Sequence, residues 1–208
     1  MDWPGLSETD RERCEQIALH RIAIGNTTEG VRLRLRQASM GLQAGRLLSR
    51  YVRYLGISRI FEIGTCAGIG AAYMCSAAES NGPVDFIGME GVDEKREIAE
   101  ATLARFVKNT TVTIVPGLFQ ETFESALALA APLQFVYLDG WHKREPTVRM
   151  FNRCVEEMPN GGVIVVDDLG QTTNGMREAG KQIRKHPHVT SRLAFSAKEA
   201  FVIREDEP

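Results

Sequence analysis

The stretch Ile57–Asp93 constrains this chain more than any other, reading I-S-R-I-F-E-I-G-T-C-A-G-I-G-A-A-Y-M and later V-D-F-I-G-M-E-G-V-D. Arg59–Ile63 is short, rich in Ile and Phe, and runs straight into Gly64, as a buried parallel strand does. Ala71–Ala78 is rich in Ala and free of glycine, so it favours helix. Val84–Met89 is largely apolar again, and Glu90 follows it. Strand, glycine turn, helix and strand together predict a βαβ unit. Ligands of open α/β sheets bind outside the carboxyl ends of the strands. Glu62, Gly64, Gly68 and Glu90 are therefore expected to converge on one crevice.

The spacing discriminates between ligands. A dinucleotide-binding turn needs G-x-G-x-x-G, whose second glycine lets a pyrophosphate touch the backbone. Here that position is Cys66, and the later glycines fall at Gly68 and Gly70. The loop also opens on a carboxylate, Glu62, which repels phosphate and attracts an ammonium group. S-adenosylmethionine carries an ammonium, a sulfonium and a ribose diol, and no phosphate. Glu62 suits the ammonium, directly or through water; Gly64 and Gly68 permit close approach; Glu90 suits the ribose hydroxyls. An ordinary βαβ unit with turn glycines and a solvated acid is the competing reading. The pattern E-x-G-x-x-x-G…E resembles the first two motifs of class I S-adenosylmethionine-dependent methyltransferases.

At 208 residues and 43% apolar content the chain suffices for one domain with an ample core. Residues 1–56 read as N-terminal helices covering the active site, and residues 57–208 as the cofactor-binding core. A formal charge of −2 supplies no global field toward nucleic acid or membrane. The four cysteines lack C-x-x-C spacing, which favours reduced thiols and a cytoplasmic setting over disulfides or zinc. Met1-Asp2-Trp3-Pro4 does not open a signal peptide. The most apolar stretch, near Ala126–Leu138, is broken by Pro132 and Gln134, so no membrane span is expected.

Taken in order, Leu6–Ile24 reads as a helix with a Ser7/Asp10 capping box, and Val31–Leu55 as a longer helical region with Gly41 and Gly45 as weak points. The arginines at 32, 34, 36, 46, 50 and 53 read as a solvated helix face. Helices follow at Glu94–Val107, Gln120–Ala131, Thr147–Met158 and Met176–Lys185. Strands are expected at Thr111–Val115, Phe135–Leu138 and Val163–Val166, with a terminal hairpin of Val189–Phe195 and Glu199–Arg204. Strands alternating with helices predict an α/β fold with a mostly parallel sheet. A seven-stranded Rossmann-like sheet with an antiparallel C-terminal hairpin strand, and helices on both faces, is the shape of the class I methyltransferase fold.

Asp139 ends the fourth strand, and Asp167-Asp168 end the fifth. If those strands are neighbours, three carboxylates meet at one rim, where like charges raise one another's pKa. A hard cation such as Mg²⁺, Mn²⁺ or Ca²⁺ would resolve the repulsion. The residues alone leave that open, since Asp167 can instead cap a helix while Asp168 binds a polar group of the substrate.

From Met40 to Gly175 the chain resembles the catechol and caffeoyl-CoA type O-methyltransferases and their bacterial relatives. Met40–Leu48 resembles the helix before their first strand, F-E-I-G-T-C-A-G-I-G their first motif and G-M-E-G-V-D their second. The resemblance implies that Glu62, Gly64, Thr65, Cys66, Gly68, Gly70, Glu90 and Gly91 bind the cofactor. It places Phe119 and Gln120 beside the adenine, with Asp139 and Trp141 of L-D-G-W-H-K at the same edge. It further implies a divalent cation, Mg²⁺ by preference, on Asp139, Asp167 and Asp168, and a homodimer. The family pattern at the last pair is Asp-Asn, so Asp167-Asp168 keeps an oxygen ligand and adds a negative charge. The family's catalytic lysine lies three residues after the first metal-binding Asp, which here is His142, with Lys143 next. Either serves as general base: a lysine must have its pKa lowered for the task, whereas histidine starts near 6.5. Cys66 and Cys75 have no paired histidine and read as packing.

The expected activity is S-adenosylmethionine-dependent O-methylation of a small-molecule hydroxyl, with positioning supplying much of the rate and a metal, if present, acidifying the acceptor. A tRNA methyltransferase of the same fold is the second reading, and a metal-independent small-molecule enzyme the third. A nicotinamide-dependent dehydrogenase is disfavoured by Cys66, and a non-catalytic nucleoside-binding module completes the alternatives.

Overall fold

The computed structural model describes residues 6–26, 40–195 and 197–204. Helix α1 (Glu8–Asn26) begins where Ser7 caps it, its hydroxyl oxygen accepting the Asp10 N–H at 3.2 Å. Half of the expected capping box is thus present, the Asp10 carboxylate accepting the Ser7 hydroxyl at 2.5 Å, and the helix starts two residues later than the apolar pattern predicts. Cys14 and Ile17 are buried on its inner side while Leu19 faces solvent. Of the expected region Val31–Leu55, helix α2 occupies Leu42–Tyr54; residues 31–39, including Arg32, Arg34 and Arg36, lie outside the described residues.

The sheet follows from short apolar runs. Strands β1 (Arg59–Ile63), β4 (Phe135–Leu138) and β5 (Val163–Val166) are buried almost throughout, as central parallel strands are. Strand β2 (Val84–Glu90) reaches one residue further than expected, so Glu90 is its last residue, and β3 (Thr110–Pro116) lies outside it. The hairpin of β6 (Val189–Phe195) and β7 (Lys198–Ile203) closes the chain. The seven strands run in the order β3-β2-β1-β4-β5-β7-β6, and only the β5–β7 and β7–β6 pairings are antiparallel.

Helices cover both faces. On one, α3 (Ile69–Ala78) is buried at every position, with α1, α2 and α4 (Asp93–Phe106) around it. On the other, α5 (Phe119–Ala130), α6 (Arg144–Glu156) and α7 (Met176–Ile183) bury Phe123, Leu127, Met150, Phe151 and Ile183 against the sheet. The order reverses between β1 and β4. Connections leave those two strands toward opposite faces, so a crevice opens beyond their carboxyl ends.

Candidate active site

The crevice is a cleft of about 970 Å³ at that switch point, at the upper end of the roughly 300–1,000 Å³ typical of ligand sites. Gly64, Cys66, Glu90, Gly91, Phe119, Gln120, Asp139, Trp141, His142, Asp167 and Asp168 all line it. Beneath the loop after β1 lies a second, small cavity of about 10 Å³, bounded by Glu62, Thr65, Gly70 and Tyr137, about enough for one water. Gly68 borders neither space; it precedes α3 and packs on the Ala99 backbone. Lys143 is exposed outside the cleft, its ammonium 6.0 Å from the Trp141 ring centre.

Glu62 is 1% exposed, and its Oε2 has no hydrogen-bond partner; the buried Thr65 Oγ1 is unpartnered too. Burial, reinforced by the neighbouring Asp139 and only partly offset by the nearby Thr65 hydroxyl, holds the Glu62 carboxyl well above the usual carboxylate range. A buried unpaired acid is costly, and Gly70 makes room for this one. A Cβ on Gly70 would stand 2.7 Å from Glu62 Oε1. Gly64 has a φ of +98°, and a Cβ there would meet the Asp139 carbonyl oxygen at 2.5 Å. The ends of β1 and β4 thus touch backbone to backbone, tied by the Asp139 N–H donating to the Ile63 carbonyl at 2.9 Å.

Glu90 works partly as a brace. Its two carboxylate oxygens accept the Cys66 N–H and the Val92 N–H, each at 2.9 Å. Each oxygen retains a second acceptor site at the cleft wall. Cys66, Trp141 and Asp168, with φ of 51°, 56° and 60°, are non-glycine residues in the left-handed region. They follow β1, β4 and β5 and all line the cleft, the kind of place where backbone strain accompanies function. Burial raises the Cys66 thiol to about 11, so it is no ready nucleophile.

The acid rim forms because β4 and β5 are neighbours, with the Asp167 N–H donating to the Leu138 carbonyl at 3.0 Å. Asp167 Oδ2 accepts the Tyr137 hydroxyl at 2.9 Å and the Lys198 ammonium at 2.6 Å, while Oδ1 accepts the Asp168 N–H at 2.7 Å. Asp139 keeps 23% of its side chain exposed, and its carboxyl is raised by burial and by the facing Asp167. Asp168 is raised for the same reasons, with His142 pulling the other way. His142 stands between them, Nε2 3.6 Å from Asp139 and Nδ1 3.8 Å from Asp168. Among the described residues, no three His, Cys, Asp or Glu side chains come together as a metal donor set.

Sequence reasoning missed Lys198, read there as part of a polar turn; only the β5–β7 register reveals that it meets Asp167. It also missed Tyr137, which looks like any aromatic strand residue until its hydroxyl finds Asp167.

The methyltransferase domain family matches residues 61–169. Three solved structures are similar over nearly the whole chain. The O-methyltransferase of Bacillus cereus in complex with S-adenosylhomocysteine is 19% identical, covering 92% of this chain and 90% of its own, with a TM-score of 0.71. The Streptomyces achromogenes O-methyltransferase TomG, involved in tomaymycin synthesis and in complex with S-adenosylmethionine, is 17% identical over 96% of this chain and 100% of its own, at 0.65. The S-adenosylhomocysteine-bound Podospora anserina methyltransferase PaMTH1 is 13% identical over 97% and 98%, at 0.73. At such identities these likenesses establish the fold. No curated protein sequence matches the chain.

Proposed function

The chain belongs to the methyltransferase domain family, and from that premise we propose that it moves a methyl group from S-adenosylmethionine to a hydroxyl oxygen of a small molecule. The observation that carries this reading is the fully buried Glu62 carboxyl under a glycine loop, with no cation beside it among the described residues and its Oε2 without a hydrogen-bond partner. An ammonium group at that loop, directly or through a water, gives the Glu62 carboxyl the counter-charge it lacks. The choice of oxygen as acceptor draws on the similar O-methyltransferases of Bacillus cereus and Streptomyces achromogenes.

In this reading Glu62, Gly64, Thr65 and Cys66 receive the amino-acid end of the cofactor, with Gly68 and Gly70 shaping the loop from behind. Glu90 and Gly91 take the ribose, and Phe119, Gln120, Asp139 and Trp141 bound the adenine. When bound, S-adenosylmethionine supplies an electrophilic methyl on a sulfonium. The protein's own task is then positioning and proton removal. His142 lines the cleft and takes the proton from the acceptor hydroxyl, with Asp139 and Asp168 close enough to balance the resulting imidazolium. Lys143, outside the cleft, is the weaker candidate base. Met40 to Ala44 also line the cleft, which supports reading the start of α2 as part of its cover within a single catalytic unit.

The residues do not fit a divalent cation well. Such an ion needs open carboxylate oxygens, and Asp167 already receives three donors, one of them a full positive charge. No step is therefore assigned to Mg²⁺. The resemblance to the O-methyltransferases also implies a homodimer, which sedimentation measures directly. The test of the central reading is thermal stability with S-adenosylhomocysteine against NAD, because a ligand that binds only the native state must raise its melting temperature. A rise with the first alone is expected; no rise with it overturns the proposal.

A further inference from the structure

The geometry points to Lys198 as a built-in cation standing where a divalent metal ion would otherwise hold the acceptor, so that the chain methylates without one. This rests on the methyltransferase reading above. Lys198 Nζ lies 2.6 Å from Asp167 Oδ2, and each side chain keeps only 10% of its surface. The same ammonium lies 5.9 Å from the centre of the Tyr137 ring and lines the cleft beside Asp168 and His142.

The position is built into the sheet. The antiparallel register pairs Val166 with Glu199, so the residue before Glu199 falls beside the residue after Val166. Glu199 is itself anchored, its Oε2 accepting the Arg184 Nε–H at 2.8 Å. Lys198 therefore starts a strand fixed on both sides.

Charge makes the substitution meaningful. Three carboxylates at one rim repel one another, and a fixed ammonium on Asp167 lowers that repulsion for Asp139 and Asp168 as well, without coordination chemistry. A dication bound there would have to displace the ammonium or sit against it. An ammonium facing the acceptor also stabilises the oxyanion that develops as the hydroxyl proton leaves. The balance is complete: the acceptor's O–H proton goes to His142, an O–C bond forms as the C–S bond breaks, and the sulfonium becomes a neutral thioether. Lys198 keeps all its protons throughout.

The test is Mn²⁺ binding to the full chain in the presence of S-adenosylhomocysteine, followed by electron paramagnetic resonance. The wild type is expected to show no site tighter than about millimolar, whereas Lys198→Met gains a site at least about tenfold tighter, which adding Asp167→Asn removes. Lys198→Arg, which keeps the charge, is expected to exclude Mn²⁺ like the wild type. Micromolar Mn²⁺ binding by the wild type, abolished by Asp167→Asn, overturns the inference, as does a folded Lys198→Met with no gain. Should Lys198→Met fail to fold, the wild-type and Lys198→Arg measurements still decide. Calorimetry of S-adenosylhomocysteine with each protein separates the two readings: no binding to the wild type defeats the methyltransferase proposal, while retained binding beside a wild-type Mn²⁺ site defeats only the role of Lys198.

Discussion

Glu62 keeps a carboxyl in a place where its charge has no partner, and that has consequences for both stability and binding. Because its native pKa lies above the ordinary value of 4.5, the native state holds a proton that the unfolded chain has already lost. Stability from this group is present below about pH 4.5 and declines as pH rises toward the raised native value. Glu62→Gln should flatten that decline, and in the absence of ligand it should be at least as stable as the wild type at pH 8 in denaturant titrations. A variant that is less stable there, with the slope retained, would assign the pH dependence elsewhere. The same residue predicts proton release: a bound ammonium restores the charged form, so S-adenosylhomocysteine should bind more tightly as pH rises through the window. Calorimetry in buffers of different ionisation enthalpy reads the released proton directly, and zero release contradicts the placement. Glu62→Gln should weaken binding roughly 10–100-fold, the worth of about 1.5–3 kcal/mol for a hydrogen bond to a charged group. Glu62 stood out from the sequence because an acid opening a glycine loop is odd chemistry for a phosphate site. Lys198 did not, because one lysine in a short polar turn announces nothing until strand register places it.

At the scale of elements, α2 and α3 approach closely through Gly45. A Cβ there would lie 2.5 Å from the Tyr73 ring, which is itself fully buried. Helix propensity alone predicts that Gly45→Ala gains about 0.5–1 kcal/mol. Overpacking against a buried ring should reverse the sign, to a loss of about 1–3 kcal/mol, and chemical denaturation of the variant distinguishes the two. A stabilised Gly45→Ala would mean that α2 has room to move off α3. The sequence marks Gly45 as a weak point in a helix, and its packing role appears only when the partner helix is known. The same asymmetry runs through the chain. The sequence places strands β1, β4 and β5 to the residue, because burial leaves short apolar runs with abrupt ends, unbroken in β4 and β5 and interrupted in β1 only by the buried Glu62. The start of α6 was placed three residues late, since Arg144-Glu145-Pro146 carries no apolar periodicity and the helix begins there on backbone grounds. The left-handed residues Cys66, Trp141 and Asp168 carry no local signal either, because glycine is the usual occupant of that conformation.

Across the whole molecule, the Lys198–Asp167 pair joins the antiparallel hairpin to the parallel sheet at the point where the acid rim forms. Alternating strands and helices were enough to expect a parallel sheet with a terminal hairpin, but the pair that locks one to the other belongs to tertiary structure alone. Its energetics should show the asymmetry of buried ions. Removing one partner strands a largely buried charge at the cleft wall and costs about 3–5 kcal/mol, whereas removing both leaves little uncompensated. Lys198→Met alone is therefore expected to lower the melting temperature by about 6–20 °C, at roughly 2–4 °C per kcal/mol for a chain of this size. Asp167→Asn combined with Lys198→Met should recover most of that loss, and the double-mutant cycle should return a coupling of at least about 1–3 kcal/mol. Purely additive losses would show that the two side chains do not depend on each other, and that the hairpin is held by β5–β7 backbone pairing and the Phe201 contacts of the core instead. A strong coupling would tie the stability of the C-terminal hairpin to the charge balance of the cleft, so that any cation displacing Lys198 also loosens the strand that carries it.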